Sequence, residues 1–473
     1  MYKEKYEAGK DLRQKTHRSS HANWQAPADR PSVQQMIELS NYDRLPNLVP
    51  IRHFRMSKSP FVFYRATASL MARDLSSTPN SGINVQACGD CHLMNFGGFA
   101  TPERTMVMDM NDFDETHIAP WEWDVKRLAT SFMLAAREKN FSENEGRDVV
   151  MDLLAAYRDK MREYSEMNFL ELWYTKFTMN DLRNMSQSRK LQDRIDKVLK
   201  KIQEQSHEQV FYKITVDTLN RRTIGDQLPL IYHPFNMEES MAMINKFLDQ
   251  YKTTLQPDRK LLFDQYRVID VALKVVGVGS VGTRCFVVLL MNDNDEPLFM
   301  QVKEARQSVL EPYTNASRYP HNGERVVQGQ RILQAASDIF LGWTTGPEGR
   351  HYYLRQLRDK KVSVDLDSFD KFLLTLYAQL CGNILARAHC KSAQGPLISG
   401  YIGQGDQFLE AVTDFSVAYA DQTEKDYNDF VKAIKDGKLP VKEEDGNEGA
   451  KLEEEDKAKR KAKEKERAAA MAN

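Results

Sequence analysis

Between Lys274 and Leu290 the chain reads Lys-Val-Val-Gly-Val-Gly-Ser-Val-Gly-Thr-Arg-Cys-Phe-Val-Val-Leu-Leu, and this segment constrains the fold more than any other. Glycines at 277, 279 and 282, with Ser280 between them, let backbone N–H groups approach an anionic ligand with no Cβ in the way. In dinucleotide-binding units the same Gly-x-Gly-x-x-Gly spacing opens a helix. Here a β-rich run follows Gly282, then a turn at Asn292-Asp293-Asn294-Asp295, then a third strand, Leu298-Phe299-Met300-Gln301-Val302-Lys303. No helix starts at the glycines, so the loop is expected to join two strands of an α+β fold.

Lys303 closes that third strand. The stretch from Asn322 to Ala336 has helical periodicity and carries Glu324, whereas Glu311 is disfavoured as a helical residue because Pro312 follows it. Two more strand-like runs come next, Ile339 to Trp343 and His351 to Leu357, the second ending at Gln356-Leu357. Taken singly, the pieces have plain structural readings: a hairpin turn, a solvated lysine, a glutamate favoured by a helix N-terminus. Their common order argues for a site.

A second set of polar residues lies upstream. Gly89-Asp90-Cys91-His92-Leu93-Met94-Asn95-Phe96-Gly97 is followed, after the strand-like Thr105-Met106-Val107-Met108, by Asn111-Asp112-Phe113-Asp114-Glu115. One loop carrying Asp90 and Asn95 can offer a carboxylate to a hydroxyl and an amide oxygen to a metal. Asp112 or Asp114 at the next strand end can add a second oxygen ligand for Mg2+ on nucleotide phosphates. Asp and Asn are also ordinary turn formers, so either motif alone could be a polar turn.

The form Gly-Asp-x-His-x-x-Asn resembles the catalytic loop of aminoglycoside and choline phosphotransferases, with Cys88 where those families usually carry His. The resemblance implies a kinase-like two-lobe fold binding ATP and Mg2+. Gly277, Gly279, Ser280 and Gly282 would cover the phosphates, Lys303 would grip them, Glu324 would pair with Lys303, and Gln356 and Leu357 would mark the adenine hinge. Asn95 with Asp112 or Asp114 would hold the metal, and Asp90 would orient or deprotonate an acceptor hydroxyl. His92 and Asp124 would support the loop, Asp124 by accepting backbone N–H bonds. An ordinary kinase places the glycine loop before the catalytic loop, and the reversed order here implies circular permutation. The helix-like stretch from Phe372 to His389 resembles the helix that precedes such a catalytic loop, yet no such loop follows it.

From about Leu12 to Phe430 the chain is also similar to the bacterial family catalogued as domain of unknown function 2252. The shared motifs are Pro50-Ile51-Arg52, Arg55-Met56, the two polar motifs above, Trp123-Asp124-Val125-Lys126-Arg127-Leu128 and Glu324 to Gln330. The chain departs at His53-Phe54, where the family tends to have a glycine, and at Arg65-Ala66, where Arg-Gly is usual. That family name carries no activity. The motifs imply phosphoryl transfer from ATP to an unidentified small molecule or protein, with a low-turnover nucleotide-binding regulator, or AMP transfer by the same parts, as alternatives. The joint presence of Asp90, Asn95, Asp112, Lys303 and Glu324 favours catalysis.

A chain of 473 residues, 41% hydrophobic and 10% aromatic, can bury a large core, and a net charge of −1 gives no overall field for nucleic acid or an anionic membrane. No apolar run approaches the ~18 residues of a membrane-spanning helix. The charged start lacks an export signal's apolar core, so a cytoplasmic location is expected. Five cysteines imply no disulfide framework. Cys88-Gly89-Asp90-Cys91-His92 matches the c-type haem pattern formally, but that attachment belongs to exported chains. Zinc on Cys88, Cys91, His92 and His117 would lack a second ligand pair at finger-like spacing.

The expected organisation is an N-terminal arm over 1–45, the loop-bearing part of the larger lobe over 46–140, and a helical cap over 141–265. A β-rich small lobe over 266–361, further helices over 362–436 and a charged, disordered tail over 437–473 complete it. Within the cap, the pattern from about Glu143 to Gln205, including Leu191 to Leu199, argues for long amphipathic helices, and Thr223 to Pro234 reads as a loop.

Overall fold

The computed structural model describes residues 2–444 apart from 186–187, 190–191, 194, 197–213, 219–220, 358–360 and 363. Much of the stretch from Leu191 to Leu199, and the tail from residue 445, lie outside the described residues. The fold is mixed α+β, and among the described residues no helix is long and apolar enough to cross a membrane.

The largest sheet holds six antiparallel strands in the order Gly342–Thr345, His351–Gln356, Pro297–Glu304, Cys285–Met291, Arg267–Lys274 and Ile231–Tyr232. Side chains alternate across a strand, so the apolar runs divide between two faces. Val288, Leu290, Met300, Val302 and Leu354 pack with Ile244, Leu248 and Tyr251 of the helix Met237–Lys252. On the other face Val287, Leu289 and Phe299 pack with Ile224. Register pairs Lys303 with Tyr353 and Gln301 with Arg355. All four side chains therefore share this second face. The glycine loop joins Arg267–Lys274 to Cys285–Met291, and the helix Asn322–Leu333 precedes the last two strands of the sheet. Gly277 and Gly282 have φ of +62° and +87°, which explains glycine at both positions.

The rest of the chain is mainly helical. Trp121–Glu138, Glu143–Glu166 and Lys371–His389 share a core with Leu128, Phe132, Leu153, Leu154 and Leu385. Glu143–Glu166 starts with a capping box between Ser142 and Glu145, but it is followed by the short helices Phe169–Tyr174 and Met179–Asn184 rather than continuing. Trp121–Glu138 is buried on every side from Trp121 to Ala136. Its charged residues Glu122, Asp124, Lys126 and Arg127 are thus inside the protein, where charged groups need partners. Two small sheets flank this helix: Asn84–Ala87 pairs with His117–Pro120, and Phe96–Ala100 pairs with Met106–Met110 and Lys361–Val362.

Two local expectations change. The N-terminal segment begins with a helix, Tyr2–Lys15, packed on Gly395–Ile402, with Arg13 Nε donating to the Tyr401 carbonyl at 3.0 Å. The stretch from Thr223 to Pro234 is not wholly loop: Arg221–Ile224 forms half of a hairpin, and Ile231–Tyr232 is the edge strand of the large sheet.

Candidate functional site at the junction of the glycine loop and the Asp90 loop

The Asp90 loop needs glycine at its corner. Gly89 has φ of +85°, and a Cβ there would lie 2.2 Å from the Glu115 carbonyl oxygen. Asp124 braces this turn from the buried helix, accepting the N–H groups of Cys88 at 2.6 Å and Gly89 at 2.9 Å, with His389 Nε2 3.3 Å from the same carboxylate. Arg127, from the same helix, donates Nε to Asp90 Oδ1 at 2.7 Å and brings Nη2 to 2.6 Å from that oxygen. Burial pulls the Arg127 guanidinium down, but the Asp90 charge outweighs it and holds the group above its ordinary value. The Asp90 side chain stays 27% exposed. His92 lies beside it, with Nε2 3.9 Å from Asp90 Oδ2, and burial lowers its pKa to about 4, so the ring is neutral at pH 7.

Asn95 ties the two polar motifs together. Its Oδ1 accepts the N–H of Asp112 at 2.7 Å and of Asn111 at 3.3 Å, and its Nδ2 donates to the carbonyls of Asp112 at 2.8 Å and Asp90 at 3.2 Å. The expected offer of this oxygen to a metal is not met here, because two backbone donors already occupy it. The loop is held from below by Tyr377, whose hydroxyl donates to the carbonyls of Leu93 at 2.7 Å and Phe96 at 3.0 Å.

The sheet and the Asn111 to Glu115 segment converge on Lys303. Its Nζ lies 2.5 Å from Asp114 Oδ2 and 3.2 Å from Asp112 Oδ1. The Tyr353 hydroxyl donates to Asp114 Oδ1 at 2.6 Å, and Arg355 Nη1 donates to the Asn111 carbonyl at 2.9 Å. Burial works against the Lys303 charge, yet Asp112 and Asp114 outweigh it and hold the ammonium well above its usual range. For Asp112 the burial penalty is overcome by Lys303 and Arg355, and its carboxyl stays below the ordinary value. Asp114 goes the other way, raised by burial and by the Asp112 charge. Asp112 is the open member of the group, with 48% of its side chain exposed.

Glu324 does not pair with Lys303. Its N–H is capped by His321 Nδ1 at 3.3 Å, and the next residue, Arg325, is the one that enters the site, donating to the carbonyls of Asp114 at 2.9 Å, Arg306 at 2.8 Å and Thr116. Successive helical residues are about 100° apart, so a one-residue change of phase exchanges which side chain faces inward. Glu115, which motif reading left without a role, accepts the Val309 N–H at 2.7 Å, and burial raises its carboxyl to about 7. Arg355 and Tyr353 also went unnoticed, although their alternation opposite Gln301 and Lys303 carries that signal.

At the hinge position the N–H groups are committed: Gln356 donates to the Asp338 carboxylate and Leu357 to the Phe299 carbonyl at 2.8 Å. The glycine loop is clasped by the segment before the Asp90 loop. Leu45 N–H bonds the Gly282 carbonyl at 2.8 Å, Arg44 Nη1 the Val281 carbonyl at 2.6 Å, and Arg55 the Gly277 carbonyl. The Ser280 carbonyl accepts the Thr283 hydroxyl at 2.8 Å, closing the tip, and Gly279 faces the Arg65 backbone. Among the described residues no group of three or more His, Cys, Asp or Glu is placed to hold a metal ion unaided.

A family model described as an uncharacterized protein conserved in bacteria (domain of unknown function 2252) matches residues 44–433, and the chain belongs to that family. No curated protein and no solved structure matches the chain.

Proposed function

We propose that this member of the bacterial family is an ATP- and Mg2+-dependent phosphotransferase of kinase-like type, circularly permuted, acting on a small-molecule or protein hydroxyl. The observation that carries the reading is the convergence at Lys303. A lysine at the end of the third sheet strand meets two carboxylates 189 and 191 residues away in the chain, below a strand–glycine loop–strand unit. The run of three strands, a helix and two strands is the arrangement that the kinase resemblance implies for a small lobe.

The residues fit the implied group. Mg2+ takes hard oxygen ligands and is usually held by one or two carboxylates together with substrate phosphates, so Asp112 and Asp114 suffice as protein ligands without a closed cage. Lys303 and the glycine-loop amides would bind the phosphates. Bound ATP with Mg2+ would supply the phosphoryl group and spread its charge. Asp90, with Oδ1 fixed by Arg127, keeps Oδ2 to receive a hydrogen bond or proton from the acceptor hydroxyl. His92, neutral at pH 7, adds no competing positive charge beside it.

The engaged Asn95 carboxamide favours a second reading, a nucleotide-binding regulator with little turnover. One experiment separates the readings. Incubation with α- and γ-labelled ATP, Mg2+ and cell extract is expected to move the γ label onto an acceptor, and Asp90→Asn is expected to cut that transfer roughly 10²-fold while ATP binding stays within a few-fold. Movement of the α label instead points to AMP transfer. Binding without transfer of either label points to the regulator, and no thermal stabilisation by ATP–Mg2+ at millimolar concentration ends the nucleotide reading.

A further inference from the structure

The glycine loop and the Asp90 loop meet at Arg65. This residue ends the short helix Pro60–Arg65, and its carbonyl oxygen lies 3.5 Å from the Cβ position of Gly279 in the middle of the glycine loop. Its guanidinium lies within reach of the charges of Asp90 and, less strongly, Glu138, and it helps to keep His92 neutral. Among the described residues the Arg65 side chain makes no hydrogen bond or ion pair. Its Nε is sealed from solvent with no partner, whereas the side chain as a whole is only half-buried, so its terminal amines reach open space.

Neighbouring arginines are accounted for. Arg127 is held by Asp90, Arg44 by the carbonyls of Ser40 and Val281, Arg55 by Glu444 and the Gly277 carbonyl, and Arg306 by the Tyr42 carbonyl. Asp90 does not bond Arg65: Arg127 takes its Oδ1 through two nitrogens, and no hydrogen bond or ion pair joins Arg65 to its Oδ2. An Nε–H withheld from water without a partner is costly, and the planar guanidinium fork, open at its terminal amines, suits a tetrahedral oxyanion. A basic residue at a helix C-terminus also gains from the helix dipole, but that effect places no demand on the glycine loop.

We propose that Arg65 is the seat for a phosphate-type oxyanion between the glycine loop and Asp90. The inference rests on the phosphotransferase reading only for the source of the anion, which is either the terminal phosphoryl group of the nucleotide or an anionic group carried by the acceptor.

Wild type, Arg65→Gln and Arg65→Lys are titrated by calorimetry with AMP-PNP–Mg2+, ADP–Mg2+ and inorganic phosphate, the last with and without ADP–Mg2+. The expected result is that Arg65→Gln weakens AMP-PNP or inorganic phosphate at least tenfold and leaves ADP unchanged, with Arg65→Lys in between. Loss confined to AMP-PNP assigns the seat to the nucleotide's terminal phosphate, and loss confined to inorganic phosphate assigns it to the acceptor. Equal binding of all three probes by wild type and Arg65→Gln overturns the proposal. Should wild type bind neither nucleotide, the phosphotransferase reading fails and inorganic phosphate alone decides: binding lost in Arg65→Gln sustains the seat, and binding unchanged or absent overturns it. Should both variants unfold, wild type is treated with phenylglyoxal and mapped by peptide mass spectrometry. Protection of Arg65 by inorganic phosphate or AMP-PNP–Mg2+ sustains the seat, and no protection overturns it.

Discussion

Lys303→Met removes the ammonium on which the two halves of the site converge, and its effect on stability follows from what is left behind. Taking one partner from a buried ion pair costs about 3–5 kcal/mol because the other charge stays buried. Here the carboxylates are not sealed: Asp112 is 48% and Asp114 26% exposed, so water takes over part of the interaction. The expected loss at pH 7 is therefore about 2 kcal/mol, below that range after discounting for solvent. The loss shrinks with acid. Asp112 is held below its ordinary value of 3.8, so its contribution is present above that pH and is lost as pH falls through the lowered folded value. At about pH 3 the wild type keeps a buried ammonium whose carboxylates are becoming neutral, and the gap between the two proteins should close. Scanning calorimetry at both pH values reads this directly, with Tm lower in the variant by roughly 2–4 °C at neutral pH. A variant as stable as wild type at pH 7, or a deficit of equal size at both pH values, would refute the reasoning.

Two further outcomes are expected. Gly89→Ala must combine an unfavourable positive φ with a Cβ 2.2 Å from the Glu115 carbonyl, so it should lose about 3 kcal/mol or more, read by thermal unfolding; a loss within about 0.5 kcal/mol would show that the turn relaxes freely. Glu115 is raised from 4.5 to about 7 by burial, so the native state holds its proton more tightly than the unfolded chain, and stability should decline as pH rises between those values and level off above them. Glu115→Gln should flatten that part of the stability profile, and an unchanged slope would assign it to another group.

The sequence made the glycine hairpin and the Lys303 strand legible because both rest on local rules: glycine spacing, a turn of Asn and Asp, and β-branched runs on either side. The inward residue of the Asn322–Leu333 helix was not legible, since Glu324 and Arg325 are adjacent and only tertiary packing fixes the phase. Arg127 was passed over for a related reason. A charged residue in a helical pattern ordinarily faces water, and nothing local reveals that this helix is enclosed on all sides from Trp121 to Ala136. The N-terminal helix is mostly polar, with Leu12 its one aliphatic side chain larger than alanine, and its docking on Gly395–Ile402 depends on residues at the other end of the chain.

The supports of the Asp90 loop have a consequence for how the protein is made. The Tyr377 hydroxyl that holds Leu93 lies 284 residues downstream of it, and the Ser392 hydroxyl that accepts the Gln86 N–H lies 306 residues downstream. At translation rates of 5–20 residues per second, roughly 15–60 s pass between synthesis of the loop and synthesis of its last anchors. Through that interval the nascent chain carries Asp124 and Arg127, which brace the Asp90 loop from one side, but not its C-terminal anchors, and the glycine loop also emerges before those anchors. Assembly of the cleft is thus a late event in the life of the polypeptide, completed only when the C-terminal third arrives, and a ribosome that stalls before residue 377 releases a chain in which neither anchor exists.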